Sequence, residues 1–501
     1  MKFSIDHFVC SFTFQKGENM GLYIYYGILI LFVLNTIAAV ITVLRQQRPV
    51  ATIWAWLLVL ILLPGIGFII YYFVGRKISD KNIFRIRNQE VYGLNGLKEK
   101  YLNGNGKQKN VGHYPRDIQK MMRLLFKSDY SILTENNQVE IFINGQEKMD
   151  RLVADIYAAT DSVHVQYYIL TDDEVGMRVV EALIDRAKAG LEVKLMADAV
   201  GSRSLSKKSI KRMEEAGIQF ESFFSKSPFF IFNFRLNWRN HRKIVVIDGL
   251  VGYVGGFNVA KEYIGKGPLG YWRDTHFRLT GDAVKTLQSR FMVDWFASKK
   301  AKPSDFDHEY FPDPEITGDT AMQIVSSGPD EESDQIKMGY LQMINIAEKY
   351  IYIQTPYFIP DEAVFEAVEM AALSGVEVHI MIPSKPDHPL VYRATEYYVK
   401  SLLPAGVHVH KYREDGFLHA KTVCVDGHVA SVGTANFDIR SFSLNFEINA
   451  FVYDQKLVTK LEEIFQNDLK VSTHVDMEHF ENQTKWKKFR QGFSRLFSPV
   501  L

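Results

Sequence analysis

Two stretches of the chain repeat one chemical pattern. His241-Arg-Lys243-Ile-Val-Val-Ile-Asp248-Gly249 and His419-Ala-Lys421-Thr-Val-Cys-Val-Asp426-Gly427 both read His-x-Lys-x4-Asp. One match to so short a motif carries an ordinary false-positive risk. Two matches are much rarer, and the agreement continues downstream, with Gly255 and Asn258 after the first and Gly433 and Asn436 at the same offsets after the second. An imidazole can attack phosphorus or move a proton near neutral pH, and an ammonium is a compact cation for phosphate oxygens. In a strand, residues i and i+2 face the same way, so His241 and Lys243 are expected to share a face, as are His419 and Lys421. If two halves meet about a pseudo-twofold axis, both pairs converge on one pocket suited to a phosphate diester. The lysines and the Asn258 and Asn436 amides would hold its oxygens, while one imidazole attacks and the other supplies a proton. No metal-ligand spacing such as Cys-x2-Cys or His-Glu-x2-His is present, so neither a metal nor another cofactor is expected.

A nucleophilic histidine needs an acceptor on its other ring nitrogen. Asp274 and Glu447 stand at comparable points of two strand-like segments after the motifs and are the candidate orienting groups. Asp248 and Asp426 are counted with the catalytic motif, although each directly precedes a glycine at a strand end and also suits a turn. The halves differ at Gly255-Gly256 against Gly433-Thr434. An extra glycine lets backbone amides approach an anion, which favours His241 as the attacking group, Asp274 as its holder and His419 as acid and base. Thr434 argues the other way, as a donor to the same phosphate. His276 reads as a structural residue capping local hydrogen bonds, and Cys424 as a small core residue.

The elements that must position these groups also repeat. Ser162-Val-His-Val-Gln166 and Tyr350-Ile-Tyr-Ile-Gln354 alternate as strands. Helical patterns follow at Val175 to Ala189 and Asp361 to Ser374, each closing on Gly190 or Gly375, and then come strands Leu191 to Met196 and Val376 to Met381. Strand, helix, strand predicts βαβ crossovers, hence an α/β fold with a largely parallel sheet in each of two halves, 136–315 and 316–480, packed as a pseudo-dimer.

The chain has 501 residues, 59 Lys+Arg against 58 Asp+Glu and two cysteines, Cys10 and Cys424. A net charge of +1 argues against a nucleic-acid backbone as the main partner, and two distant cysteines exclude a disulfide framework. After a polar extension over 1–20, the runs 21–44 and 51–74 carry no charged residue, and each is long enough to span a bilayer. They are separated by 45–50 and read as a transmembrane hairpin, with Pro64, Gly65 and Gly67 interrupting the second helix. A signal peptide is the competing reading of the first run, but no small-residue cleavage site follows it. The flanks carry Lys2, Lys16, Arg76, Lys77, Lys81, Arg85 and Arg87 against Arg45 and Arg48 in the loop, which places the catalytic region on the cytoplasmic side. Residues 75–135 read as a juxtamembrane linker. Between Gly217 and His241 lies an aromatic-rich insertion with Phe223, Phe224, Phe229, Phe230, Ile231, Phe232 and Phe234, fit either for the interior or for a lipid interface. The tail 481–501 places Trp486, Phe489, Phe493, Leu496 and Phe497 at helical spacing among basic residues, a pattern that suits an anionic bilayer or the domain itself.

The paired His-x-Lys-x4-Asp motifs with Gly-x-x-Asn resemble those of the phospholipase D superfamily. The segments Asn240 to Gly249, Gly252-Tyr-Val-Gly-Gly-Phe-Asn258 and Gly433-Thr-Ala-Asn-Phe-Asp-Ile-Arg-Ser441, together with the two apolar runs, are similar to its bacterial cardiolipin synthase branch. That resemblance implies phosphatidyl transfer between two phosphatidylglycerol molecules through a metal-independent phosphohistidine, commonly on the N-terminal histidine. It implies a multi-pass protein of the bacterial cell membrane, with anionic lipids and not nucleic acid as partners. A phosphodiesterase hydrolysing phospholipid or nucleic acid would use the same groups with water as acceptor. A non-catalytic scaffold fits poorly with two intact motifs.

Overall fold

The computed structural model describes residues 22–30, 32–34, 36–38, 40–41, 43–44, 50–63, 66–71, 95–102, 111–223, 238–299, 310–315, 318–331, 333–499 and 501. It divides into two units, Met1–Ile78 with Lys226–Asn237, and Ser79–Ser225 with Trp238–Leu501.

The larger unit carries both motifs. Its first half contains β1 (Thr134–Phe142), β2 (Ser162–Tyr167), β3 (Glu192–Asp198), β4 (Gln219–Phe223), β5 (Ile244–Ile247), β6 (Val251–Gly255), β7 (Tyr271–Arg273) and β8 (His276–Thr280). The second contains β9 (Thr320–Ser327), β10 (Tyr350–Gln354), β11 (Phe358–Ile359), β12 (Glu377–Ile382), β13 (His408–Lys411), β14 (Gly416–Leu418), β15 (Thr422–Val425), β16 (Val429–Gly433), β17 (Phe437–Asp438), β18 (Glu447–Val452) and β19 (Thr473–Val475). One 15-stranded sheet runs β4-β3-β2-β5-β6-β8-β1 and then, mirrored strand for strand, β9-β18-β16-β15-β10-β12-β13, with β19 beyond. The antiparallel pair β1·β9 therefore lies at the pseudo-twofold axis.

The expected crossovers are present. Helix Glu174–Lys188, capped by Asp173, links β2 to its parallel neighbour β3, and Glu362–Leu373, capped by Asp361, links β10 to β12. Gly190 and Gly375, at φ +95° and +94°, turn the chain out of these helices in the left-handed region that glycine tolerates. Within this 15-stranded sheet parallel pairing is nonetheless confined to β2·β3·β4 and β10·β12·β13, so the expectation of a largely parallel sheet is corrected to a mixed one. The motif strands cause this. Only 248–250 connects β5 to β6 and only 426–428 connects β15 to β16, and connections so short return a strand antiparallel.

Asp248 and Asp426 sit in those turns at φ +53° and +54°. The Asp248 carboxylate accepts from Thr160 N, Asp161 N and Ser162 N at 2.9, 2.8 and 3.0 Å, and Asp426 accepts from Glu348 N, Lys349 N and Tyr350 N at 2.6, 3.0 and 2.7 Å. Each ties its turn to the start of the neighbouring strand, at the end of the motif strand remote from the histidine. Their inclusion among the catalytic groups is thus corrected to the turn reading. Asp248→Ala is expected to lower stability by about 1–3 kcal/mol, the cost of orphaning these donors, while sparing the chemistry. Thermal unfolding alongside turnover checks this; lost turnover at unchanged stability would restore a catalytic role.

The second half's core, around Val325, Ile353, Ile380 and Phe451, also takes in Ile118, Met121, Met122 and Leu125. These belong to helix Arg116–Asp129, so the end of the stretch read as a linker is part of that half. Cys424 is buried in β15.

In the smaller unit every described residue of 22–44 is helical, and helices Val50–Leu62 and Ile66–Ile70 flank Pro64 and Gly65, with Gly67 inside the second of them. Val43, Leu60 and Tyr71 bury against one another, whereas Leu22, Ile24, Leu34, Leu58 and Ile61 are exposed. Among the described residues no helix is long and apolar enough to cross a membrane. The polar extension 1–20 and insertion residues 224–237 lie outside the described residues. Phe223, at the insertion's start, is buried in β4 against Phe446.

Candidate active site

The motif histidines lie just before β5 and β15, not within them, and backbone bonds to the opposite half fix them there. His241 N donates to Phe446 O at 2.9 Å, and Phe446 N to Arg239 O at 2.9 Å. His419 N donates to Arg273 O at 2.7 Å, and β14, ending at Leu418, pairs in parallel with β7. Phe446 and Arg273 immediately precede Glu447 and Asp274. Each histidine is therefore tied to the segment that delivers the other half's carboxylate.

The side chains follow. His241 Nδ1 lies 3.0 and 2.9 Å from the two oxygens of Glu447, and His419 Nδ1 lies 2.5 Å from Asp274 Oδ2. The expectation that Asp274 holds His241 is corrected: the carboxylates are exchanged across the pseudo-twofold. Because a carboxylate only accepts, each Nδ1 carries the hydrogen and each Nε2 keeps its lone pair. Burial, followed by the Lys421 ammonium, pushes His419 down to about 4 against the pull of Asp274. Burial also lowers His241, with Glu447 opposing and Lys243 and Lys421 assisting. Burial thus disfavours the charged form of both rings before an anion arrives, in the direction an attacking imidazole requires.

Lys243 Nζ donates to His241 O at 2.7 Å, and Lys421 Nζ donates to His419 O. Burial pushes these ammonium groups down to about 7 and about 8, with Glu447 and Asp274 opposing. Lys421 acts on His241 and Lys243 on His419, so the charges of the two motifs meet in one site. An arriving phosphate anion would restore full charge to both lysines. Aromatic rings form the walls: Tyr168 meets His241 edge-on at 4.9 Å, while Tyr263 and Trp272 lie 5.4 and 5.3 Å from His419.

The asparagines are not equivalent. Asn258 accepts from Ile169 N at 3.1 Å and donates one of its two amide hydrogens to the Tyr263 hydroxyl at 2.5 Å, which positions the Tyr263 wall. Asn436 Oδ1 is buried with no hydrogen-bond partner among the described residues. His276 is also corrected: both ring nitrogens are buried without partners among the described residues, so it caps nothing.

The expectation that the extra glycine opens backbone amides to an anion is also corrected. Gly256 N donates to Thr275 O at 2.9 Å and so is not offered to an anion. What the missing side chain permits is Asp274, whose Oδ1 would lie 2.0 Å from a Cβ at residue 256. In the second half Thr434 instead exchanges hydrogen bonds with Ile448, its hydroxyl accepting from Ile448 N at 2.9 Å, so it is not a free donor to phosphate. Gly256→Ala is expected to displace Asp274 and cost at least ~10-fold in turnover through His419, because small misplacements of a positioning group carry large rate costs. Full activity in that variant would contradict the packing.

A second layer escaped the sequence reading. Arg242, between the motif's His and Lys, is fully buried, pairs with Asp294 through two bonds of 2.8 Å, and donates to Glu447 O at 3.1 Å and Ser327 O at 3.1 Å. Gln166 donates to Asp294 at 2.7 Å. At the related place in the second half, Asp468 takes Gln354 at 2.8 Å and Arg273 at 2.9 Å. Gln166 and Gln354, at matching positions of repeated strands, were the available signal. Buried Lys148, bonded to the Tyr167 hydroxyl at 2.6 Å, had none.

Residues 152–267 and 340–469 match the family described as cardiolipin synthase, PLD-like domain, and 33–76 match that described as phospholipase D-nuclease N-terminal. A cardiolipin synthase of Staphylococcus aureus (strain Mu50 / ATCC 700699) is 48% identical over 474 residues, 94% of this chain and 95% of that protein. A cardiolipin synthase of Listeria innocua is 47% identical over 487 residues, 96% of this chain and 100% of that protein. Among solved structures, the phosphatidylserine synthase of Haemophilus influenzae Rd KW20 superposes with a TM-score of 0.59 at 15% identity, covering 76% of this chain and 100% of that one, a likeness of fold.

Proposed function

The chain belongs to the cardiolipin synthase family, with its phospholipase D-like domains, and on that footing we propose that it converts two phosphatidylglycerol molecules to cardiolipin and glycerol. The observation that carries the chemistry is the pair of imidazoles, each held through Nδ1 by a carboxylate of the opposite half.

His241 Nε2 attacks the phosphorus of the first lipid. The bond from phosphorus to the terminal glycerol oxygen breaks, and His419 gives that oxygen a proton as glycerol leaves. The hydroxyl of a second phosphatidylglycerol then attacks phosphorus, its proton passes to His419, and the P–N bond breaks to regenerate His241. The Glu447 carboxylate flanks the His241 Nδ1–H with both oxygens, which balances the cationic ring of a phosphohistidine. Asp274 offers His419 one oxygen, Oδ2, while its Oδ1 accepts from Thr275 N at 2.7 Å; Glu447 keeps both oxygens at His241 although its Oε1 also accepts from Asn445 Nδ2 at 3.2 Å. This difference, in place of the glycine argument, supports His241 as nucleophile. The phosphate anion raises the proton affinity of the buried His419 and so loads the acid. Lys243, Lys421 and the side-chain N–H groups of Asn436 hold the phosphate, and the reaction uses no cofactor.

The uncharged runs 21–44 and 51–74 form a membrane hairpin, supported by the contacts among Val43, Leu60 and Tyr71, and the basic flanks keep the catalytic unit on the cytoplasmic side. Phosphatidylglycerol as sole substrate, with EDTA present, should yield cardiolipin and glycerol one to one. Phosphatidic acid without cardiolipin would favour the hydrolase reading, and loss of turnover to EDTA that one divalent ion restores would contradict the metal-free chemistry.

A further inference from the structure

The C-terminal helix Lys485–Arg495 is docked with its apolar side outward. Its buried residues are Gln491 and Ser494, joined by Ser498 just beyond its end. Gln491 donates to Glu396 at 3.1 Å, Lys487 pairs with the same carboxylate at 3.3 Å, Arg495 donates to the Tyr397 hydroxyl at 2.8 Å, and the Tyr398 hydroxyl donates to Ser498 at 3.1 Å. Glu396 lies on helix Pro389–Leu402 and is itself fully buried, so the polar seam is a built attachment. On the opposite side Trp486, Phe489, Phe493 and Leu496 are 66%, 59%, 47% and 73% exposed. Trp486, Phe489 and Phe493 stack in a row, with successive centroids 5.5 and 6.1 Å apart, and Phe497 continues it. A helix recruited to a protein core turns its aromatics inward; this one spends its polar residues on the domain.

We propose that this aromatic face is a membrane contact, lying in the interface of an anionic phospholipid bilayer as a surface separate from the N-terminal runs. Charge selects the occupant. From 482 to 501 there is no Asp or Glu, whereas Lys485, Lys487, Lys488, Arg490 and Arg495 are all cationic, and Lys485 and Arg490 are exposed beside the rings. Aromatic anchors with flanking cations fit the headgroup region of an acidic membrane. A second copy of this face would bring like charges together across an isologous contact. The inference stands on the helix and not on which reaction the site performs.

The test uses the full chain in vesicles of phosphatidylglycerol and phosphatidylcholine, with Cys10→Ser and a nitroxide on Phe489→Cys. A second label on Tyr157→Cys, a half-exposed site elsewhere on the catalytic unit, gives the aqueous reference. The 489 label should be more accessible to oxygen than to a water-soluble nickel chelate, with the order reversed at 157 and immersion reduced in pure phosphatidylcholine. Preferential access of nickel at 489, or spin–spin broadening between copies, would overturn the proposal, and equal immersion in both lipids would overturn its anionic preference. Trp486→Cys provides an independent label with the same expected order. These readouts need no turnover, so they stand apart from any failure of the proposed reaction.

Discussion

His241→Ala and His419→Ala are each expected to lose more than ~100-fold in cardiolipin formation, and the double variant to be no worse than the poorer single one. In the proposed mechanism each ring has a separate task at one phosphorus, so removing either stops the cycle and removing both finds nothing further to stop. Two independent sites would leave roughly half the activity in each single variant. Initial rates with labelled phosphatidylglycerol measure the effect, and unchanged thermal unfolding separates it from misfolding. Turnover near the parent's in either variant would refute the shared site.

Glu447→Gln should cost on the order of 10²–10⁴-fold, and Asp274→Asn a similar amount, because an amide neither fixes the Nδ1–H tautomer nor balances an imidazolium. Crossed pairing makes the outcome specific. Carbethoxylation of individual histidines, followed by peptide mapping, should show an altered rate at His241 in Glu447→Gln and at His419 in Asp274→Asn. The reverse pattern would mean that each carboxylate serves its own half.

The sequence suggests uncrossed pairs for a physical reason. Periodicity speaks about one strand at a time, and it located the repeated strands, the crossover helices and the four groups of the two motifs. It says nothing about which neighbour a chain end meets. The exchange is decided by backbone bonds such as His241 N to Phe446 O, over a separation no local pattern encodes. The glycine beside the first motif was visible, but its use was not: Gly256 makes room for a carboxylate 18 residues later in the chain, at Asp274, and not for a ligand. Asp248 and Asp426 show the converse, since a residue shared by both motifs can be fixed by the turn that the strands require. Arg242 was invisible because a cation between the two motif residues reads as one more phosphate contact until Asp294 is placed against it.

The crossed site with His241 as its nucleophile is tested most directly by trapping. The enzyme is mixed with phosphatidylglycerol labelled at phosphorus, quenched in the steady state under conditions that preserve phosphohistidine, and digested. Label is expected on the peptide containing His241, with none there in His241→Ala, and should chase into cardiolipin when unlabelled phosphatidylglycerol is added before the quench. Label on the peptide containing His419 would reverse the roles, and cardiolipin formation by His241→Ala at the parent's rate would contradict the mechanism altogether.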